Sequence, residues 1–134
     1  MKQIDEKVIA LFNEQPVWYV STSDSKPHVI PVAFKQFTAD GKIAIAQVFM
    51  KETVETVKSG GKVAVAVGAM TPQGPQGYEI VGSADYLTEG PVVEAFKNAV
   101  NEKSGGRLAA KGVIVVTPET IMICSPGPDN GKNL

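Results

Sequence analysis

The period of the apolar positions changes several times along the chain, and each change marks an element. Ile4, Val8, Ile9, Leu11 and Phe12 recur at helical spacing, with Asp5 placed to cap and Ile4 placed to staple onto Ile9. This predicts a first helix that ends before Pro16. Residues 17–21 form an apolar, β-favouring run, and the polar cluster 22–26 reads as a turn into a second strand over 28–37. Asp40-Gly41 is a strong turn dipeptide, and a third strand over 43–48 follows it in meander order, next to the first two.

Residues 51–59 change to a helical period, with Val54 and Val57 on one face and Gly60 placed to close the helix. The unbroken run Val63-Ala64-Val65-Ala66-Val67 predicts a central strand over 62–69, covered on both faces. Pro72, Gly74 and Pro75 punctuate a loop over 70–76, and a long strand follows over 78–87. Gly90-Pro91 opens a third helix with Val92, Phe96, Ala99 and Val100 on its apolar face, ending at Ser104-Gly105-Gly106. Two strands, 113–116 and 121–124, are expected on either side of Pro118. The tail is poor in apolar residues and rich in proline and glycine, which predicts one domain over 1–125 and an irregular segment over 126–134. Six or seven strands in mostly hairpin order with three short helices give a mainly β (α+β) chain. They fit a closed or nearly closed antiparallel barrel better than a parallel sheet.

Composition narrows the function. With 134 residues, 43% of them hydrophobic, the chain suits a single core. Thirteen Lys and Arg against fourteen Asp and Glu leave a net charge of −1, so no bulk attraction favours nucleic acid or an anionic membrane, and any anion site must be local. No apolar run approaches the ~20 residues of a membrane span, and the start has no leader pattern, so the cytoplasm is the expected setting. One cysteine and one histidine exclude an internal disulfide and the usual zinc sets within one chain. Cys124 lies in an apolar run and reads as a small core residue, and His28, beside Pro27, reads as a solvated residue at a strand start.

The familiar nucleotide motifs fail. Gly60-Gly61-Lys62 resembles the end of a phosphate loop, but Thr56 and Val63 stand where that loop needs glycine and a hydroxyl residue. No G-x-G-x-x-G separates a strand from a helix, so a dinucleotide fold has no support. The junction Gln47-Val48-Phe49-Met50-Lys51-Glu52-Thr53 is more informative. A helix starting there offers free backbone N–H groups and the positive end of its dipole, Lys51 adds a charge and Thr53 a hydroxyl. A monoester phosphate site and an ordinary capped surface helix both fit these residues.

Three segments taken in order, Lys26-Pro27-His28-Val29-Ile30-Pro31-Val32, then Met50-Lys51-Glu52-Thr53 with Lys62-Val63-Ala64-Val65, then Gly77-Tyr78-Glu79-Ile80-Val81-Gly82-Ser83-Ala84, resemble the FMN-binding split-barrel family related to pyridoxamine phosphate oxidase, in particular its small FMN-binding members. The resemblance implies a split β-barrel of six or seven strands and non-covalent FMN at the interface of a homodimer. It places Pro31, Val32 and Ala33 beside the flavin ring, and Gln47, Val48, Phe49, Lys51 and Thr53 along the ribityl chain and phosphate. Trp18 and Tyr78 are the aromatic residues expected near the flavin or the interface, although a strand Trp also reads as core. Relatives often carry a basic residue directly before the threonine. Here that place is Glu52, which must point away from a phosphate. Electron transfer or a small flavin-dependent oxidoreductase activity follows, with no side-chain acid or base required. Two alternatives stay open. True pyridoxamine phosphate oxidation needs a second phosphate pocket from a chain whose only arginine is Arg107, and a non-enzymatic module would hold flavin or haem.

Overall fold

A computed structural model of the chain describes residues 1–22 and 26–134, so the middle of the turn predicted over 22–26 lies outside the described residues. The elements in order are α1 (Glu6–Glu14), β1 (Trp18–Thr22), β2 (His28–Val32), β3 (Lys35–Phe37), β4 (Ile43–Gln47), α2 (Lys51–Lys58), β5 (Val63–Thr71), β6 (Gly74–Leu87), α3 (Pro91–Lys103) and β7 (Gly112–Ile123). The strands form one antiparallel sheet in the order β2-β1-β5-β6-β7-β4-β3, curled into a half-barrel. This is the α+β split-barrel architecture.

Four expectations change. The strand predicted over 28–37 is broken at Ala33-Phe34, and its halves lie at opposite edges of the sheet, β2 beside β1 and β3 beside β4. The first three predicted strands are therefore not a meander. The strand covered on both faces is β4, not β5. Ile43 and Ile45 enter the main core while Ala44 and Ala46 lie under α3, whereas β5 buries Val63, Val65 and Val67 and leaves Ala64 and Ala66 half-buried. Alanines under α3 let a helix approach the sheet closely. The loop predicted over 70–76 is a tight hairpin, with Met70 paired to Pro75 and Thr71 to Gly74. Finally, β7 is one strand, because Pro118 lies at the register shift opposite Val81 and Gly82, where a missing N–H breaks no ladder.

The main core packs α1 and α2 against the concave face of the sheet, and a second cluster joins α3 to β4 and β7. Asp5 is at the N-cap of α1 as expected, but its side chain makes no cap bond. Trp18 is core. Its Nε1 donates to the Phe12 carbonyl at 2.8 Å and its ring meets Phe12 and Phe37 at centroid distances of 5.0 and 5.1 Å. Full burial of such a side chain contributes on the order of 2–3 kcal/mol. Cys124 is exposed rather than core, because it follows the last residue of β7. The tail has no helix or strand, yet it folds back on its own chain. Leu134 N–H donates to the Ile121 carbonyl at 2.8 Å, Gly131 N–H to the Ile123 carbonyl at 2.8 Å, and Ile123 N–H to the Lys132 carbonyl at 2.9 Å.

Candidate functional site

The break in the second predicted strand creates a cleft. As the chain leaves β2 it turns through Ala33-Phe34 toward the far edge, where the Phe34 carbonyl accepts the Ala46 N–H at 3.0 Å. Across from this turn, β4 runs out through Val48, Phe49 and Met50. Between the two lies a space of about 450 Å³, closed at one side by Leu108 from the α3–β7 connection. That volume lies within the ~300–1,000 Å³ of small-molecule sites. Its walls are apolar side chains, and Phe49 is 71% exposed.

The cleft runs directly into the start of α2, because Met50 both lines it and occupies the N-cap position. Met50 has φ +22° and ψ +43°, and among the described residues it is the only non-glycine with positive φ. Such a conformation costs on the order of 1–3 kcal/mol and persists only where its surroundings enforce it. No side chain caps the helix, and Val54 is the first residue whose N–H bonds within it, to the Met50 carbonyl at 3.0 Å. The N–H groups of residues 51–53 thus have no partner within the helix and carry the positive end of its dipole.

Lys51 is exposed at this turn. Glu52 is exposed, and its Oε2 lies 3.4 Å from His28 Nδ1. Thr53 is fully buried, and among the described residues its Oγ1 is the only enclosed side-chain polar atom without a partner. Leaving such a hydroxyl unpaired costs about 1–3 kcal/mol.

Of the nine residues expected to bind a cofactor, Pro31, Val32, Ala33, Val48 and Phe49 line the cleft. Lys51 and Thr53 lie at the helix start that adjoins it. Gln47 is set behind the wall. Its side chain is buried, Nε2 donates to the Phe49 carbonyl at 3.3 Å, and Oε1 accepts the Tyr86 hydroxyl. Tyr78 is apart from the cleft, in the main core between Val67 and Ile123. Sequence reasoning missed Ile30, Phe34, Ala46, Met50 and Leu108 in the wall. Leu108 follows Gly105-Gly106-Arg107 in a connection with no periodicity to mark it, but Met50 was legible as the residue before a helix start.

Elsewhere the chemistry is sparse. Although Cys124 is exposed, partial desolvation by its neighbours, and then the Glu79 carboxylate, push its thiol up, which disfavours a reactive thiolate. Among the described residues no group of three His, Cys, Asp or Glu side chains could hold a metal ion, and no helix is long and apolar enough to cross a membrane.

The likeness to known proteins extends over the whole fold. HupZ of Group A Streptococcus superposes with a TM-score of 0.75 at 24% identity, over 98% of this chain and 99% of that one. An FMN-binding protein from Syntrophomonas wolfei gives 0.72 at 20% identity, over 91% and 86%. A heme binding protein from Mycobacterium smegmatis gives 0.69 at 14% identity, over 100% of this chain and 59% of that one. No curated relative matches. Residues 4–124 match the family described as Pyridoxamine 5'-phosphate oxidase, which takes in every strand, the cleft and the α2 junction. The chain belongs to the pyridoxamine 5'-phosphate oxidase family.

Proposed function

We propose that the chain is a flavoprotein of the cytoplasm that binds FMN non-covalently in this cleft, between two copies of itself, and serves in electron transfer. The observation that carries the reading is the continuity of an apolar cleft with an uncapped helix start, since FMN joins a planar ring to a phosphate. The cleft wall at Pro31, Val32 and Ala33 suits the ring, and Val48 and Phe49 suit the ribityl chain. The first turn of α2 with Lys51 suits the phosphate. Thr53 fits as a donor only after its enclosed hydroxyl turns toward the helix start, a χ1 change that helical threonine permits. The open Phe49 is what a second copy would cover. When bound, FMN supplies hydride and single-electron transfer at its ring, so the protein's share is to bind, orient and exclude water.

The test is reconstitution of purified protein with FMN, read by visible absorption and by mass in solution. A yellow dimer with one FMN per chain is the expected result. Binding of haem with no binding of FMN would refute the flavin reading in favour of the property named for the Mycobacterium smegmatis protein. So would a chain that takes up neither.

A further inference from the structure

We propose that Tyr86, which does not line the cleft, is a positioning residue for its anion-binding end and acts through Gln47 and both ends of α2. The choice of FMN as probe rests on the flavin reading above, but the geometry belongs to the chain alone. Tyr86 stands near the end of β6 and touches both ends of the β4–α2 segment. Its hydroxyl donates to Gln47 Oε1, and Lys58 Nζ, on the last residue of α2, is 5.1 Å above its ring. Gln47 then spends its other side, Nε2, on the Phe49 carbonyl at 3.3 Å.

A neutral amide has one accepting and one donating end. The Phe49 carbonyl can only accept, so it takes Nε2, and the Tyr86 hydroxyl donates to the remaining Oε1. With Oε1 anchored by Tyr86, the side chain is held with Nε2 on the Phe49 carbonyl, one residue before the strained Met50. Without the hydroxyl, buried Oε1 has no partner, the side chain is free to turn toward another donor, and the Phe49 carbonyl then loses Nε2. The chain at Met50 is then free to relax, and the N–H groups of residues 51–53 shift with it. β7 makes room for this arrangement. Gly112 lies against the tyrosine, and a Cβ there would be 2.5 Å from the hydroxyl oxygen. The ring and its hydroxyl thus hold the two ends of α2 separately, the last turn through Lys58 and the first through Gln47.

Tyr86→Phe removes the hydroxyl and keeps the ring under Lys58. Flavin fluorescence quenching would give its affinity for FMN and for riboflavin, which lacks the phosphate. Amide spectra of the protein alone would report residues 49–53, with inorganic phosphate as a second titrant. The expected result is an FMN affinity lowered about five- to tenfold, the effect of one lost hydrogen bond. Riboflavin affinity should stay within about twofold, and the amide resonances of 49–53 should move. Gln47→Met, which deletes both bonds, should give the same loss of preference for FMN over riboflavin. An unchanged preference in Tyr86→Phe, or equal weakening of both flavins, overturns the proposal and leaves the flavin reading intact. If the natural protein binds neither flavin, the flavin reading fails by itself. The amides then decide the positioning role: resonances of 49–53 that stay in place on loss of the hydroxyl overturn it, and movement with weakened phosphate binding sustains it.

Discussion

Replacing the two charged residues at the start of α2 should change FMN affinity in opposite directions. Lys51 and Glu52 are both exposed, so their action on a phosphate at the helix start passes through a dielectric close to that of water. At about 4 Å a unit charge acts on another with ~1 kcal/mol in that medium, and a phosphate monoester carries about 1.5 to 2 charges near pH 7. Screening and side-chain freedom take back part of this, which leaves ~1 kcal/mol, or about fivefold in affinity, for Lys51→Ala. Glu52→Gln removes a repulsion of the same order, softened because Glu52 leans toward His28 at 3.4 Å, and should tighten FMN by about two- to fivefold. Riboflavin should respond to neither change. Fluorescence titrations with both flavins at two ionic strengths check this, and the contrast between the variants should shrink as salt rises. A Lys51→Ala effect that is the same for riboflavin, or that ignores salt, would refute the placement of the phosphate at this turn.

Two further outcomes concern the scaffold. Gly82 faces the bulge in β7, where a Cβ would collide with the Thr117 carbonyl, so Gly82→Ala should cost about 2–3 kcal/mol or more in a urea denaturation series. The Asp40 carboxyl is held below its ordinary range, first by the Thr38 hydroxyl and also by Lys42. A carboxylate with a depressed folded value adds stability above its unfolded value and loses it as pH falls through the folded one. Thr38→Val should therefore move the NMR-monitored Asp40 titration upward and flatten the acid limb of the stability curve.

Much of the fold could be read from the chain because local period and tertiary demand agree. The apolar stripes of α1 and α3, the Asp40-Gly41 turn and the alternation of β6 are such places. The disagreements occur where the sheet bends or is crowded. His28 to Phe37 reads as one strand because nothing in Ala33-Phe34 is a turn residue, and the break is imposed by the curvature of the half-barrel. Pro118 reads as a strand breaker because local rules cannot see that it meets a bulge. The site was legible only through the family resemblance, which named Pro31 to Ala33 and Val48-Phe49, and these line one cleft. It was not legible where the contact comes from a distant element. Leu108 reaches the cleft from the α3–β7 connection, and Tyr86 is one aromatic in an alternating strand whose hydroxyl happens to meet a residue 39 positions away.

The Ala33-Phe34 step joins the two outer strands of the sheet, so β2 and β3 are covalent neighbours that sit at opposite ends of the strand order. The cleft lies beside that step, between the end of β2 and the end of β4, which are far apart in the strand order. No local fragment of the chain contains it. A molecule seated there touches the end of β2, the end of β4 and Leu108 at once, so its binding energy opposes any opening of the sheet that parts them. Slow amide exchange gained on ligand uptake would accordingly spread through β5, β6 and β7, which do not line the cleft, as well as around the ligand itself.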